Sequence, residues 1–184
     1  TGRGLKVGIF TDVYKPVING VVSAIENLSR SLCRAGHSVY IFAPAYSGYK
    51  DDLDSIYRFK SINLLPGVKY PLSIPYSRRI FSLINSLELD IIHCHHPFLL
   101  GRVGQYFAKK LDIPVVATLH TQYENYNHYV PLNKEFVRRV TLWALRDFSN
   151  KCDMLITPAE SRKSQLRIYG ISTDIKVIPH AVNP

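Results

Sequence analysis

Three short stretches concentrate the residues that can do chemistry: TDVYKPVING at 11–20, HCHHP at 93–97 and ATLHTQYENYNHYVP at 117–131. The first carries Asp12, Tyr14 and Lys15, followed by Asn19-Gly20 where a helix pattern begins. Free backbone N–H groups and the positive end of the helix dipole attract phosphate or carboxylate at such a point. Asn19 is equally suited to be an ordinary N-cap. A dinucleotide fingerprint needs G-x-G-x-x-G directly after the strand. Only Gly8 before the loop and Gly20 well into it are present, which disfavours a nicotinamide enzyme.

The second stretch has the composition of a metal site. Strand alternation, however, sends His93 and His95 to one face and Cys94 and His96 to the other, and no second cluster completes a ligand set. No metal is expected; histidines lining a cleft at a strand end are. The third stretch leaves an apolar run with His120 and continues through Tyr123, Glu124, Tyr126 and Tyr129. A loop that only connects elements uses Gly, Pro, Asn, Asp or Ser. Bulky hydrogen-bonding aromatics predict contact with a ligand.

The elements that must hold these stretches follow from the apolar pattern. Near-continuous apolar runs occur at 5–11, 38–44, 90–96, 114–120, 153–158 and 175–180. Such strands are buried on both faces, the habit of a parallel sheet covered by helices. Between the first two, Val22, Ile25, Leu28 and Leu32 share one helix face, and Gly36 is placed to end the helix. Further helices are predicted over 77–87, 99–111, 134–149 and 160–169. The segment IYRFKSINLL at 56–65 gives weaker strand candidates, and PGVKYPLSIP at 66–75 reads as a loop. The alternation predicts a doubly wound α/β domain, in which ligands bind beyond the carboxyl ends of the strands. All three chemical stretches lie at such ends.

With 184 residues, 46% hydrophobic and 20% charged, the composition is that of one globular domain. No apolar run approaches the roughly 18 residues that would span a bilayer. No export signal is visible, and Cys33, Cys94 and Cys152 form no CxxC pair and sit among apolar residues, so reduced thiols in a cytoplasmic protein are expected. A net charge of +9 favours an anionic partner. Cations gather at Lys69, Arg78 and Arg79, at Lys109 and Lys110, at Lys134, Arg138 and Arg139, and at Arg162, Lys163 and Arg167. The 69–81 segment mixes its cations with Tyr70, Leu72, Ile74, Tyr76, Ile80 and Phe81, a composition suited to an anionic lipid interface and equally to packing on the core. Nucleic acid is the weakest partner class: no zinc-finger spacing, RNP-type aromatic motif or basic region beside heptads occurs.

Taken together, FTDVYKPVINGVVSAIENLSRSL, RAGHSVYIFAP, LDIIHCHHPFLLG, IPVVATLHTQYENY, CDMLITPAESRKSQL and IKVIPHAVNP resemble, over nearly the whole chain, the N-terminal domain of family-four glycosyltransferases of the GT-B architecture. The loop HTQYENYNHYV is most similar to the bacterial branch that glucosylates diacylglycerol at the membrane surface. The resemblance implies a two-domain retaining enzyme. Residues 1–184 would be its acceptor domain, a Rossmann-like half of the GT-B fold, and a UDP-sugar would be bound mainly by a second domain.

On that reading the backbone of Asn19-Gly20 faces the donor diphosphate or the acceptor across the cleft. His120 contacts the transferred sugar and stabilises the positive charge developing at its anomeric carbon, while a diphosphate oxygen takes the acceptor's proton. Asp12, Tyr14, His95, His96, Tyr123, Glu124, Tyr126 and Tyr129 would shape the acceptor site. Lys69, Arg78, Arg79, Lys109 and Lys110 would meet an anionic membrane, on the inner face of the plasma membrane. No cofactor is expected in this domain. The paired glutamates of the family's second domain have no counterpart among Glu26, Glu88, Glu124, Glu135 and Glu160. The expectation is therefore half an enzyme, inactive alone. Two other readings stay open: the same family with a soluble or polyprenyl-linked acceptor, and a non-catalytic phosphate- or sugar-binding module.

Overall fold

The computed structural model describes residues 3–63, 70–120 and 134–179. The chain opens with strand β1 (Lys6–Phe10), four of whose five residues are buried. Helix α1 (Gly20–Arg34) follows, with Val22 and Ile25 turned into the core. It ends where Gly36, at φ 86°, takes the left-handed conformation and donates its N–H to the Cys33 carbonyl. Then come β2 (Ser38–Pro44), β3 (Ile56–Phe59), β4 (Ser61–Ile62), β5 (Leu72–Ser73), α2 (Arg78–Ser86), β6 (Ile91–Cys94), α3 (Leu99–Leu111), β7 (Val115–Thr118), α4 (Lys134–Ser149), β8 (Met154–Thr157), α5 (Glu160–Ile168) and β9 (Ile175–Val177).

Seven strands form one sheet in the order β3-β2-β1-β6-β7-β8-β9, every pairing parallel. One face buries Val7, Ile9, Val39 and Ile41 against Val22 and Ile25 of α1. The other buries Phe10, Phe42, Ile92 and Leu155 against side chains of α2, α3, α4 and α5, with Phe10 and Phe42 stacked at 4.5 Å. The architecture is thus the doubly wound, Rossmann-like α/β sheet expected. The chain runs outward from β1 through β2 and β3, then returns to β1's other side with β6. That reversal leaves a crevice between the carboxyl ends of β1 and β6, the topological switch point where such sheets bind ligands. Helix α3 can lie close against β6 because it carries glycines: a Cβ at Gly104 would stand 2.7 Å from Cys94 Sγ.

Three expectations are corrected. Leu72 and Ser73, within the predicted 66–75 loop, form β5, an antiparallel pair with β4. Two residues are too short for any periodic signal. Arg162, grouped above with Lys163 and Arg167 among the gathered cations, is buried, its Nη1 donating to Gln165 Oε1. Cys33 is exposed; Cys94 and Cys152 are buried, and all three thiols are free.

Candidate active site

Asp12 leaves β1 and turns back into the crevice. Its Oδ1 accepts from the Leu100 N–H at 2.8 Å, capping α3 from a distant part of the chain, since Phe98 at the N-cap position makes no side-chain cap. Its Oδ2 is buried with no hydrogen-bond partner among the described residues. Burial raises this carboxyl from 3.8 to about 6, against the lowering by the Leu100 N–H. Beside it, His96 Nδ1 accepts from the Asp12 N–H at 3.2 Å, which fixes the imidazole in its neutral form; burial also holds its pKa down at about 4.

On the opposite face of β6 the remaining histidines stack, as strand alternation predicts. His93 Nε2 and Thr118 Oγ1 are 2.7 Å apart, and burial lowers the His93 pKa to about 4. The His93 and His95 rings lie 4.4 Å apart, and those of His95 and His120 5.0 Å apart at 16°. His95 Nδ1 and His120 Nε2 are 2.7 Å apart. Two N–H groups cannot face each other at that distance, so the facing nitrogens share one proton. His95 therefore packs against His120 and does not border the cavity in front of Asp12.

That cavity, of about 610 Å³, is bounded by Asp12, Val13, Asn19, Gly20, His96, Phe98, Leu99 and His120, with Tyr70, Leu72 and Ser73 across from them. A neighbouring one of about 460 Å³ runs between α1 and the ends of β6–β9, and His120 borders both. Asn19 acts as the ordinary N-cap, its Oδ1 accepting from the Val22 N–H at 2.9 Å. Gly20 opens the helix toward both cavities, and a Cβ there would meet no atom within 4 Å. Packing therefore does not demand glycine. Gly20→Ala should leave thermal stability unchanged or raise it, alanine being favoured in a helix by about 1 kcal/mol. In the whole protein it should lower kcat/KM about tenfold through contact with whatever passes that backbone. Unchanged kcat/KM would remove Gly20 from the site.

Other expected site residues lie elsewhere. Tyr14 is in the core on the α1 side, its ring 5.5 Å from the Arg58 guanidinium, and burial first of all pushes its pKa up to about 12. Arg58, missed in the sequence, braces this loop: it pairs with Asp51 through two nitrogens and donates to the carbonyls of Pro44 and Lys15. Nothing local in IYRF announces that role, because its partners are seven to 43 residues away. Ser73 was missed because the two-residue strand that holds it has no period to detect. Arg78 and Arg79 are exposed at the first turn of α2. Lys109 and Lys110 sit in the last turn of α3, about 20 Å from the crevice at which that helix starts. They complement the helix dipole there and share no face with the site. Lys69, Tyr123, Glu124, Tyr126 and Tyr129 fall outside the described residues. Among the described residues, no group of three or more His, Cys, Asp or Glu is gathered as a metal ion would need.

The family model "Glycosyltransferase Family 4" matches residues 18–184. The chain is 30% identical, over 97% of its length, to the α-monoglucosyldiacylglycerol synthases of Streptococcus pneumoniae (strain ATCC BAA-255 / R6) and Acholeplasma laidlawii. It covers 41% and 47% of those two proteins, so it spans less than half their length. Among solved structures, sucrose-phosphate synthase from Thermosynechococcus elongatus superposes with a TM-score of 0.70 at 14% identity, over 97% of this chain and 49% of that one. The fold is the Rossmann-like unit of GT-B glycosyltransferases, and the chain belongs to glycosyltransferase family 4.

Proposed function

We propose that these residues are the acceptor-binding domain of a retaining hexosyltransferase that moves a sugar, glucose in the first instance, from a UDP-sugar to a membrane-lipid hydroxyl such as that of diacylglycerol. The observation that carries this reading is the crevice cavity, where a buried carboxylate oxygen with no partner among the described residues, a helix N-terminus and His120 converge among apolar walls. A buried acceptor atom left unsatisfied is costly unless a ligand donates to it. A hydroxyl does so. The similarity to two diacylglycerol-glucosylating proteins supports the lipid.

In the proposed reaction the α1 N-terminus faces the negative diphosphate, and His120 faces the anomeric carbon as it gains positive charge. The acceptor hydroxyl attacks on the leaving-group face, its proton passing to a diphosphate oxygen. Ile18, 94% exposed beside Asn19, fits a surface that meets a second, donor-binding domain. No described helix is long and apolar enough to cross a membrane. Contact with the bilayer is instead assigned to the cations and rings around 70–81, on the inner face of the plasma membrane.

The whole protein, given UDP-glucose and liposomes containing diacylglycerol and an anionic lipid, is expected to form a glucosylated lipid and to sediment with the liposomes in a salt-sensitive way. Residues 1–184 alone are expected to transfer nothing. Transfer only to soluble sugars, or no salt-sensitive binding, would remove the lipid acceptor.

A further inference from the structure

The crevice cavity does not stand alone. Phe98 and Leu99, in the turn that opens α3, also border a second cavity of about 480 Å³, within the size range of ligand sites. Its side chains, Pro75, Phe81, Pro97, Val103 and Tyr106 among them, are non-ionic apart from Arg102. Arg102 is already engaged: Nη1 donates to Asp147 Oδ2 at 2.6 Å, Nη2 to the Ala144 carbonyl at 2.8 Å, and the guanidinium lies 5.4 Å from the Phe148 ring centre. A sugar would find little to bond in this second space, and a hydrocarbon chain would find apolar walls. Its lip carries exposed rings: Tyr76 and Tyr106, 61% and 55% exposed, both pack against Phe81. Arg78 and Arg79 follow Tyr76 closely in sequence and are exposed.

The crevice cavity offers the opposite chemistry. Besides Asp12 Oδ2, the Ser73 hydroxyl is buried and has no hydrogen-bond partner among the described residues. One cavity therefore carries polar groups that the other lacks, and the two share Phe98 and Leu99.

Building on the transferase reading above, we propose that the acceptor is an amphiphile bound across both cavities. Its hydroxyl meets Asp12 Oδ2 and Ser73 Oγ, and its hydrocarbon chain crosses Phe98–Leu99 into the space beside Ala144 and Tyr106. The second cavity thereby sets preference for chain length, and the polar pair sets recognition of the hydroxyl.

The test compares short-chain and long-chain diacylglycerols, in detergent micelles, as acceptors for the whole protein. Ala144→Trp fills the second cavity and keeps the carbonyl that Arg102 uses. It should raise KM for the long-chain acceptor about tenfold, the equivalent of two unburied methylenes, with KM for the short-chain acceptor and for the nucleotide sugar unchanged. Tyr106→Ala, at an exposed position, should relax the chain-length preference and serves where Ala144→Trp does not fold. Ser73→Ala should raise KM for both acceptors alike. Chain-length preference unaltered in the folded cavity variants overturns the proposal. Transfer by the unaltered protein to a soluble sugar and to neither diacylglycerol overturns the lipid-acceptor reading on which it rests, and that result is visible before any variant is made.

Discussion

His120→Ala in the whole protein should lower kcat by about a hundred- to a thousandfold and leave the domain folded, the range seen when one preorganised electrostatic group is removed from a reacting centre. The expectation rests on where the side chain stands. His120 follows the carboxyl end of β7, borders both cavities beyond the switch point, and is held by His95 at 2.7 Å. That contact admits one proton between the facing nitrogens, and the neighbouring His93 is kept uncharged by burial. An imidazole fixed in this way can present its ring dipole to an anomeric carbon that is gaining positive charge. The alternative role is purely structural. Losing one hydrogen bond costs about 0.5–1.5 kcal/mol, so a structural His120 would lower stability and spare turnover. Steady-state kinetics and urea denaturation on the same variant separate the two. A kcat within threefold of the unaltered protein, at reduced stability, would end the catalytic reading.

What could be read from the sequence, and what could not, divides by the range of the interactions involved. β1, β2, β6 and β7 were legible because burial on both faces leaves continuous apolar runs that turn residues interrupt. The split of HCHHP between two faces followed from strand alternation alone, and the structure bears it out: His93 and His95 stack on one side while Cys94 packs toward Gly101 and Gly104 on the other. Local rules failed where partners are distant. Tyr14 has the residue type of a ligand contact, yet Arg58 draws it into the core; Arg58 itself carries no local mark of its role. Lys109 and Lys110 were expected, with Arg78 and Arg79, to meet an anionic surface, and the direction of α3 adds only that a helix length separates them from the crevice. Asp12 was identified by its place after a strand, but its use as the cap of α3, 88 residues away, depends on the fold. Ser73 had no signal at all, because a two-residue strand has no period to detect.

Asp12→Asn should make the 184-residue domain more stable at neutral pH while weakening acceptor use. Asparagine keeps an oxygen for the Leu100 N–H and removes a charge that burial disfavours. The sign follows from the pKa values. Asp12 is raised from 3.8 to about 6, so in that window the native state holds a proton that the unfolded chain has released. Stability from this group is present below 3.8 and is lost as pH rises through about 6. His93 and His96 run the other way, lowered from 6.5 to about 4. Their contribution is present above 6.5 and is lost as pH falls through about 4.

Near pH 5, these groups leave the unfolded chain with two histidine protons that the native state lacks, and without the one aspartate proton that it holds. The difference is about one proton, hence a rise in stability of about 1.4 kcal/mol per pH unit. Asp12→Asn removes the opposing proton and should steepen that slope to about 2.7 kcal/mol per unit. His96 stands beside Asp12, and loss of the carboxylate only makes a charged His96 less favourable. The variant and the unaltered domain should therefore agree in stability near pH 4 and differ by on the order of 3 kcal/mol by pH 7. Urea denaturation followed by circular dichroism across that range measures the divergence. Parallel stability curves would show that Asp12 is ionised in the native state at little cost, and its unpaired oxygen would then be no sign of a missing ligand. A diverging pair of curves, with KM for the acceptor raised in the more stable variant, would mark Asp12 as a residue kept for binding at the expense of the fold.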